Sequence, residues 1–88
     1  MNEISVPLKV LVADEDKDIR FLIKIHLRDY NSKVIEARDG RAAYDLIKEK
    51  KPDLIILNYM LDKISGYEVA DRLSKDEELK DIYVIILT

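Results

Sequence analysis

A chain of 88 residues is one domain at most, and at this size it buries a smaller share of its surface than a typical domain does, so its stability is marginal. Apolar residues make up 48%, which argues against disorder, while 15 basic against 18 acidic residues leave a net charge of −3 and no basic stripe, which argues against nucleic-acid binding by this segment. The lack of cysteine excludes disulfides and thiol chemistry; with no leader pattern and no apolar stretch of membrane-spanning length, the expectation is a cytoplasmic chain without membrane contact.

Along the chain, the apolar periodicity alternates between two types. Residues 8–13 form a continuous β-rich run, read as a strand buried on both faces. Residues 16–30 follow with helical spacing, placing Ile19, Leu22, Ile23, His26 and Leu27 on one face, with Asp16 or Asp18 as the acidic start. His26, the only histidine, is read as packing at the core or its boundary. Residues 33–37 read as a short strand. Gly40–Lys50 reads as a helix begun by Asp39 as N-cap and stopped by Pro52, and the cations of Lys48-Glu49-Lys50-Lys51 suit the negative end of its dipole. Residues 54–57 are a buried strand, 65–73 a helix capped by Ser65, 76–78 a polar turn and 82–87 a last strand. Gly40 and Gly66 are assigned to turns, since neither lies in a glycine-rich phosphate loop.

The order βαβαβαβ implies parallel pairing and right-handed crossovers, and in such open sheets ligands bind beyond the carboxyl ends of the strands. That rule gathers Asp14, Glu15, Asn58 and Thr88 on one edge. Adjacent carboxylates suit Mg²⁺, with Asn58 adding a neutral oxygen; taken alone, Asp14, Glu15 and Asp16 would merely cap the next helix, but their convergence with Asn58 and Thr88 points to a metal or phosphate pocket.

Four stretches together resemble the receiver domain of two-component response regulators. Lys9-Val10-Leu11-Val12-Ala13-Asp14-Glu15-Asp16-Lys17-Asp18-Ile19-Arg20 is similar to the receiver opening. The strand running from Pro52 to Leu57 is similar to the one before the phosphoacceptor. Leu61-Asp62-Lys63-Ile64-Ser65-Gly66-Tyr67-Glu68 resembles the loop that follows, and Val84-Ile85-Ile86-Leu87-Thr88 the strand ending in the switch hydroxyl. The resemblance implies an α/β fold with an open parallel sheet in flavodoxin-like order. It implies Mg²⁺ held by Asp14, Glu15, the side chain at position 58 and the backbone carbonyl of Met60, with Thr88 moving toward the phosphoryl group. It also implies a histidine kinase or phosphotransfer protein as partner of the full-length parent.

Three departures qualify that picture. Position 58, where the family carries its acceptor aspartate, is Asn, an amide that cannot form an acyl phosphate; it also removes a negative charge, so Mg²⁺ is expected to bind weakly or not at all. Asp62 and Ser65 replace the loop's usual proline and acidic residue, and Asp62 is read as a solvated turn residue. The family continues beyond the position of Thr88 with a helix, a lysine-bearing fifth strand and a final helix, so the expected fold is incomplete, lacking the last αβα, with an open apolar edge at residues 82–87. That edge implies a homo-oligomer or pairing with another chain, through strand edges or exchange of elements. Tyr59, next to position 58, is read as its shield.

The reading is therefore a non-enzymatic receiver module, not phosphorylatable at the usual position, that acts through protein contacts. The alternatives are an Mg²⁺-dependent phosphotransferase or phosphatase-like enzyme using Asp14 as nucleophile with Asp16 as its second aspartate, and a structural fragment that only assembles.

Overall fold

The computed structural model describes residues 6–88; the reading of residues 1–5 as free of a leader lies outside them. The elements run β1 (Leu8–Ala13), α1 (Lys17–Leu27), β2 (Ser32–Ala37), α2 (Gly40–Lys50), β3 (Leu54–Asn58), α3 (Gly66–Ser74) and β4 (Tyr83–Leu87). All four strands are parallel in the order β2-β1-β3-β4, the flavodoxin-like order expected. The chain steps one way from β1 to β2 and the other way from β2 to β3 and β3 to β4. Right-handed crossovers then put α1 on one face of the sheet and α2 with α3 on the other.

Strand alternation assigns the core. Leu11, Ala13, Ile55 and Leu57 point toward Ala43 and Ile47 of α2 and Val69 and Leu73 of α3 in one buried cluster. Val10 and Val12 face the α1 side and are equally inaccessible, so β1 is buried on both faces from Val10 onward, which is why residues 10–13 are all apolar.

The helix ends follow from local hydrogen bonding. Asp16 caps α1 by accepting the Asp18 N–H at 2.8 Å. The helix stops three residues before the expected Tyr30 because its last carbonyls find other donors: the Tyr30 N–H and the Ser32 hydroxyl both reach the Leu27 carbonyl, at 3.0 and 2.8 Å. Asp39 accepts the Ala42 N–H at 2.8 Å to start α2, and Lys51 ends it in the left-handed region at φ 46° before the buried Pro52. Ser65 caps α3 by accepting from the Glu68 N–H.

α1 departs from expectation. None of its residues is fully buried, Leu22 is half exposed, and His26 is exposed, its Nδ1–H donating to the Leu22 carbonyl at 2.8 Å. Arg20 and Lys24 reach Glu36 on β2, at 2.9 and 3.7 Å. Successive helical residues turn by about 100°, so with the Arg20–Lys24 flank on the β2 side, Ile19, Leu22 and His26 lie on the opposite flank. Tyr83, Ile85 and Leu87 of β4 lie on the same face of the sheet as α1 by strand alternation and are also exposed. β4 is the outer strand of the described sheet, with its second backbone edge unpaired by any described strand.

Gly40 and Gly66 are not turn glycines. Each is the first residue of a helix with an ordinary φ, and each is needed for space: a methyl on Gly40 would strike the Ile64 carbonyl and one on Gly66 the Asn58 carbonyl.

The Ala42 N–H bond, outweighing partial desolvation, and then the Lys63 ammonium 3.6 Å away hold the Asp39 pKa below the ordinary aspartate value. A lowered folded-state pKa stabilises above the unfolded value, and that contribution is lost as pH falls through the folded one. D39A should therefore cost about 1 kcal/mol at neutral pH, and the difference from wild type in urea unfolding should shrink below the ordinary aspartate pKa.

Candidate functional site

The carboxyl ends of β1 and β3 are neighbours, so the side chains just beyond them meet. Asp14 follows β1, is 6% exposed, and lies with Asn58 on the α1 face by strand alternation. Its Oδ1 accepts the Asp16 N–H at 2.9 Å, and its Oδ2 accepts from Asn58 Nδ2 at 2.9 Å. Its backbone carbonyl accepts from Arg20 Nη1 at 2.6 Å. Asn58 uses its other end as well: Oδ1 accepts the Met60 N–H at 2.8 Å. The amide orientation is dictated by these partners. Reversed, it would set oxygen against the Asp14 carboxylate and an N–H₂ against the Met60 N–H, replacing two hydrogen bonds by two repulsions.

The backbone around Asn58 is equally constrained. The Tyr59 N–H donates to the Leu87 carbonyl at 2.8 Å, and the Gly66 N–H to the Tyr59 carbonyl at 2.9 Å. These bonds and the close approach of Gly66 tie the end of β3 to β4 and to the first turn of α3.

Of the residues expected at the site, Asp14 and Asn58 touch. Met60 joins them through its N–H, and its side chain is exposed. Glu15 is exposed and lies with Asp62 on the lining of one cleft. Thr88 follows Leu87, the register partner of Asn58, and is exposed; it stands on the same edge outside the Asp14–Asn58 network. Tyr59 does not cover Asn58. Its ring packs edge-on against Tyr67 of α3, centroids 4.7 Å apart, because alternation turns it to the other side of the strand end.

Asp62, read as a solvated turn residue, is exposed in the loop before α3 and lines a cleft with Glu15; its backbone carbonyl accepts from the N–H groups of Gly40 and Ile64, at 3.1 and 2.7 Å, which fixes the loop. Arg20 was not singled out in the sequence. Arg20 carried a weak signal: it is four residues after the N-cap Asp16, on the helix side that looks back at the strand ends. A cleft of about 330 Å³ runs from this edge, lined by Glu15, Lys17, Arg20, Arg38, Asp39, Asp62 and Lys63. A second, of about 370 Å³, lies between Glu15, Tyr59, Met60, Leu61, Asp62 and Ser65.

The Glu15–Asp62 pair is electrostatically frustrated. The hydrogen bond with the Asp62 carboxyl raises the Glu15 pKa above its ordinary value; desolvation and the Asp62 and Asp14 charges add to this, and a backbone hydrogen bond from Asp62 partly offsets it.

Comparison with known proteins gives the family of this fold and site. Residues 10–88 match the model of the response regulator receiver domain. The chain belongs to that family. It is 39% identical over 79 residues to the phosphate regulon transcriptional regulatory protein PhoB of Pseudomonas aeruginosa, a match spanning 90% of this chain and 34% of that protein. It is 32% identical over 83 residues to the polar-differentiation response regulator DivK of Brucella anthropi, spanning 94% of this chain and 68% of that one. Among solved structures, the N-terminal domain of a response regulator receiver protein from Methanoculleus marisnigri JR1 superposes with a TM-score of 0.84 at 28% identity, covering 91% of this chain and 65% of that one. A putative response regulator from Chloroflexus aurantiacus gives 0.88 at 25% identity, covering 92% and 66%. The receiver described here thus spans about a third of the length of PhoB and about two thirds of these solved chains. No helix among its described residues is long and apolar enough to cross a membrane.

A raised folded-state pKa means the folded receiver binds its proton more tightly than the unfolded chain. The Glu15–Asp62 contact then costs stability as pH rises from the ordinary glutamate value through the folded one. In D62N, side-chain carbon NMR should show Glu15 titrating closer to the ordinary value than in wild type; an unchanged midpoint would place the cause elsewhere.

Proposed function

We propose that this receiver is a signalling module of a two-component system that takes no phosphoryl group at the usual position and works through protein contacts. The observation that supports this reading is the amide of Asn58 at the carboxyl end of β3, hydrogen-bonded to Asp14. In the resemblance drawn from the sequence, position 58 takes the place of the acceptor. An acyl phosphate needs a carboxylate oxygen as nucleophile; in an amide the lone pair is delocalised over the carbonyl, and no mixed anhydride results. With the acceptor chemistry removed, the module holds one conformational bias, and its output is the surface it offers a histidine kinase, a phosphotransfer protein or another chain. Mg²⁺, which the family resemblance puts on Asp14, Glu15, position 58 and the Met60 carbonyl, is bound weakly or not at all in this reading.

The enzyme alternative, with Asp14 as nucleophile and Asp16 as its helper, is less well supported. Both Asp14 oxygens already accept hydrogen bonds, and Asp16 is engaged in capping α1. Exposure of the chain to labelled acetyl phosphate followed by peptide mapping should find no label. Label on Asp14 would establish the enzyme reading, and label in the 58–62 loop would overturn the loss of receiver chemistry.

We further propose that the 88-residue chain self-associates. The exposed, uncharged Tyr83, Ile85 and Leu87 on the outer strand support this, since such an edge is a template for pairing. Light scattering should give a dimer or larger species, and I85K, which adds a charge to that edge, should shift it toward monomer; a monomeric wild type would remove this part of the proposal.

A further inference from the structure

The metal set that the resemblance implies does not match the donors as they stand. A divalent cation between Asp14 and position 58 needs oxygens turned toward it. Asn58 instead presents its N–H₂ to Asp14, and its oxygen is directed away, to the Met60 N–H. The second carboxylate, Glu15, is exposed and has no hydrogen bond to this pair. Nothing in this arrangement is left unpaired, and no buried side-chain nitrogen or oxygen among the described residues lacks a hydrogen-bond partner.

We propose that Asn58 is an internal counter-group for Asp14, so that the pocket is closed by hydrogen bonds and its stability is independent of metal. A largely buried carboxylate must be matched by positive partners, and a bound cation is one means of supplying them. Here the Asn58 N–H₂ and the Asp16 N–H supply two, one to each oxygen, and the Arg20 guanidinium on the Asp14 carbonyl adds a nearby charge. The Met60 N–H holds the amide in the orientation that serves Asp14. Mg²⁺ would have to reverse that amide and break both of its bonds to gain an oxygen at position 58. Asn58 is therefore a positioning residue for the pocket as well as a missing nucleophile. This extends the reading above from phosphoryl transfer to the metal, and the two fail separately: a chain that takes no label could still be stabilised by Mg²⁺.

Thermal unfolding of the 88-residue chain, in chelator and across a Mg²⁺ series, tests the proposal. Wild type should melt at the same temperature throughout. N58D sets a second carboxylate against Asp14, so it should melt lower than wild type in chelator and recover as Mg²⁺ is added. The concentration needed for half the effect should be at least about tenfold below any at which wild type responds, as expected if reversing the amide gives up a charge-assisted bond. N58A, which loses the amide without adding charge, keeps the test decisive should N58D not fold: it too should melt below wild type in chelator. The proposal is overturned if wild type gains as much from Mg²⁺ as N58D does, or if N58A matches wild type in chelator.

Discussion

The burial of β1 on both faces is the constraint from which the rest of the molecule follows. Val10, Leu11 and Val12 are wholly inaccessible, flanked by β2 and β3 and covered above and below. From Val10 on, a strand so placed has no polar freedom until it ends, and the next polar residue, Asp14, therefore emerges at the sheet's carboxyl edge. Because β3 is the neighbour of β1 and ends almost level with it, its last residue must meet that carboxylate. The chemistry of this edge is thus decided by the side chain at position 58, and in this chain it is an amide.

The edge is also coupled to elements remote from it in sequence. Gly66 lies so close to the Asn58 carbonyl that no other side chain fits, and its N–H binds the Tyr59 carbonyl. The first turn of α3 and the end of β3 consequently behave as one piece. The Asp62 carbonyl does the same for the loop between them and the start of α2, through the Gly40 N–H. A side chain that changed its hydrogen bonds at position 58 would have little room to do so without moving these helix starts.

Much of this was legible in the sequence because each signal was local. The continuous run in β1, the caps Asp39 and Ser65, and Pro52 after α2 all act through neighbours a few residues away; parallel pairing followed from the alternation of strands and helices, and the strand order from the receiver resemblance. The sequence did not show which side of α1 faces the sheet. Its apolar stripe named Leu22 and His26 as inward, whereas both are exposed and the flank toward β2 carries Arg20 and Lys24, paired with Glu36 of another element. The role of the glycines was hidden for the same reason: Gly40 and Gly66 are required by carbonyls from other segments. Asp62 is the exposed loop residue its sequence suggested, but nothing near it in sequence reports that it shares a cleft with Glu15. Convergence of Asp14 and Asn58 was foreseen, but not that the amide nitrogen, rather than its oxygen, would face the carboxylate.

The Tyr59–Tyr67 contact gives this protein its own optical probe. The chain has five tyrosines and no tryptophan, so no indole emission masks the phenols. Tyr59 comes directly after Asn58, and its ring is held edge-on to one from α3. A pair fixed at that angle in an asymmetric setting produces a near-ultraviolet circular dichroism band that free tyrosines lack. Loosening of the junction between β3 and α3 would be visible in that band without a label, even where the far-ultraviolet signal of the sheet and helices stayed the same.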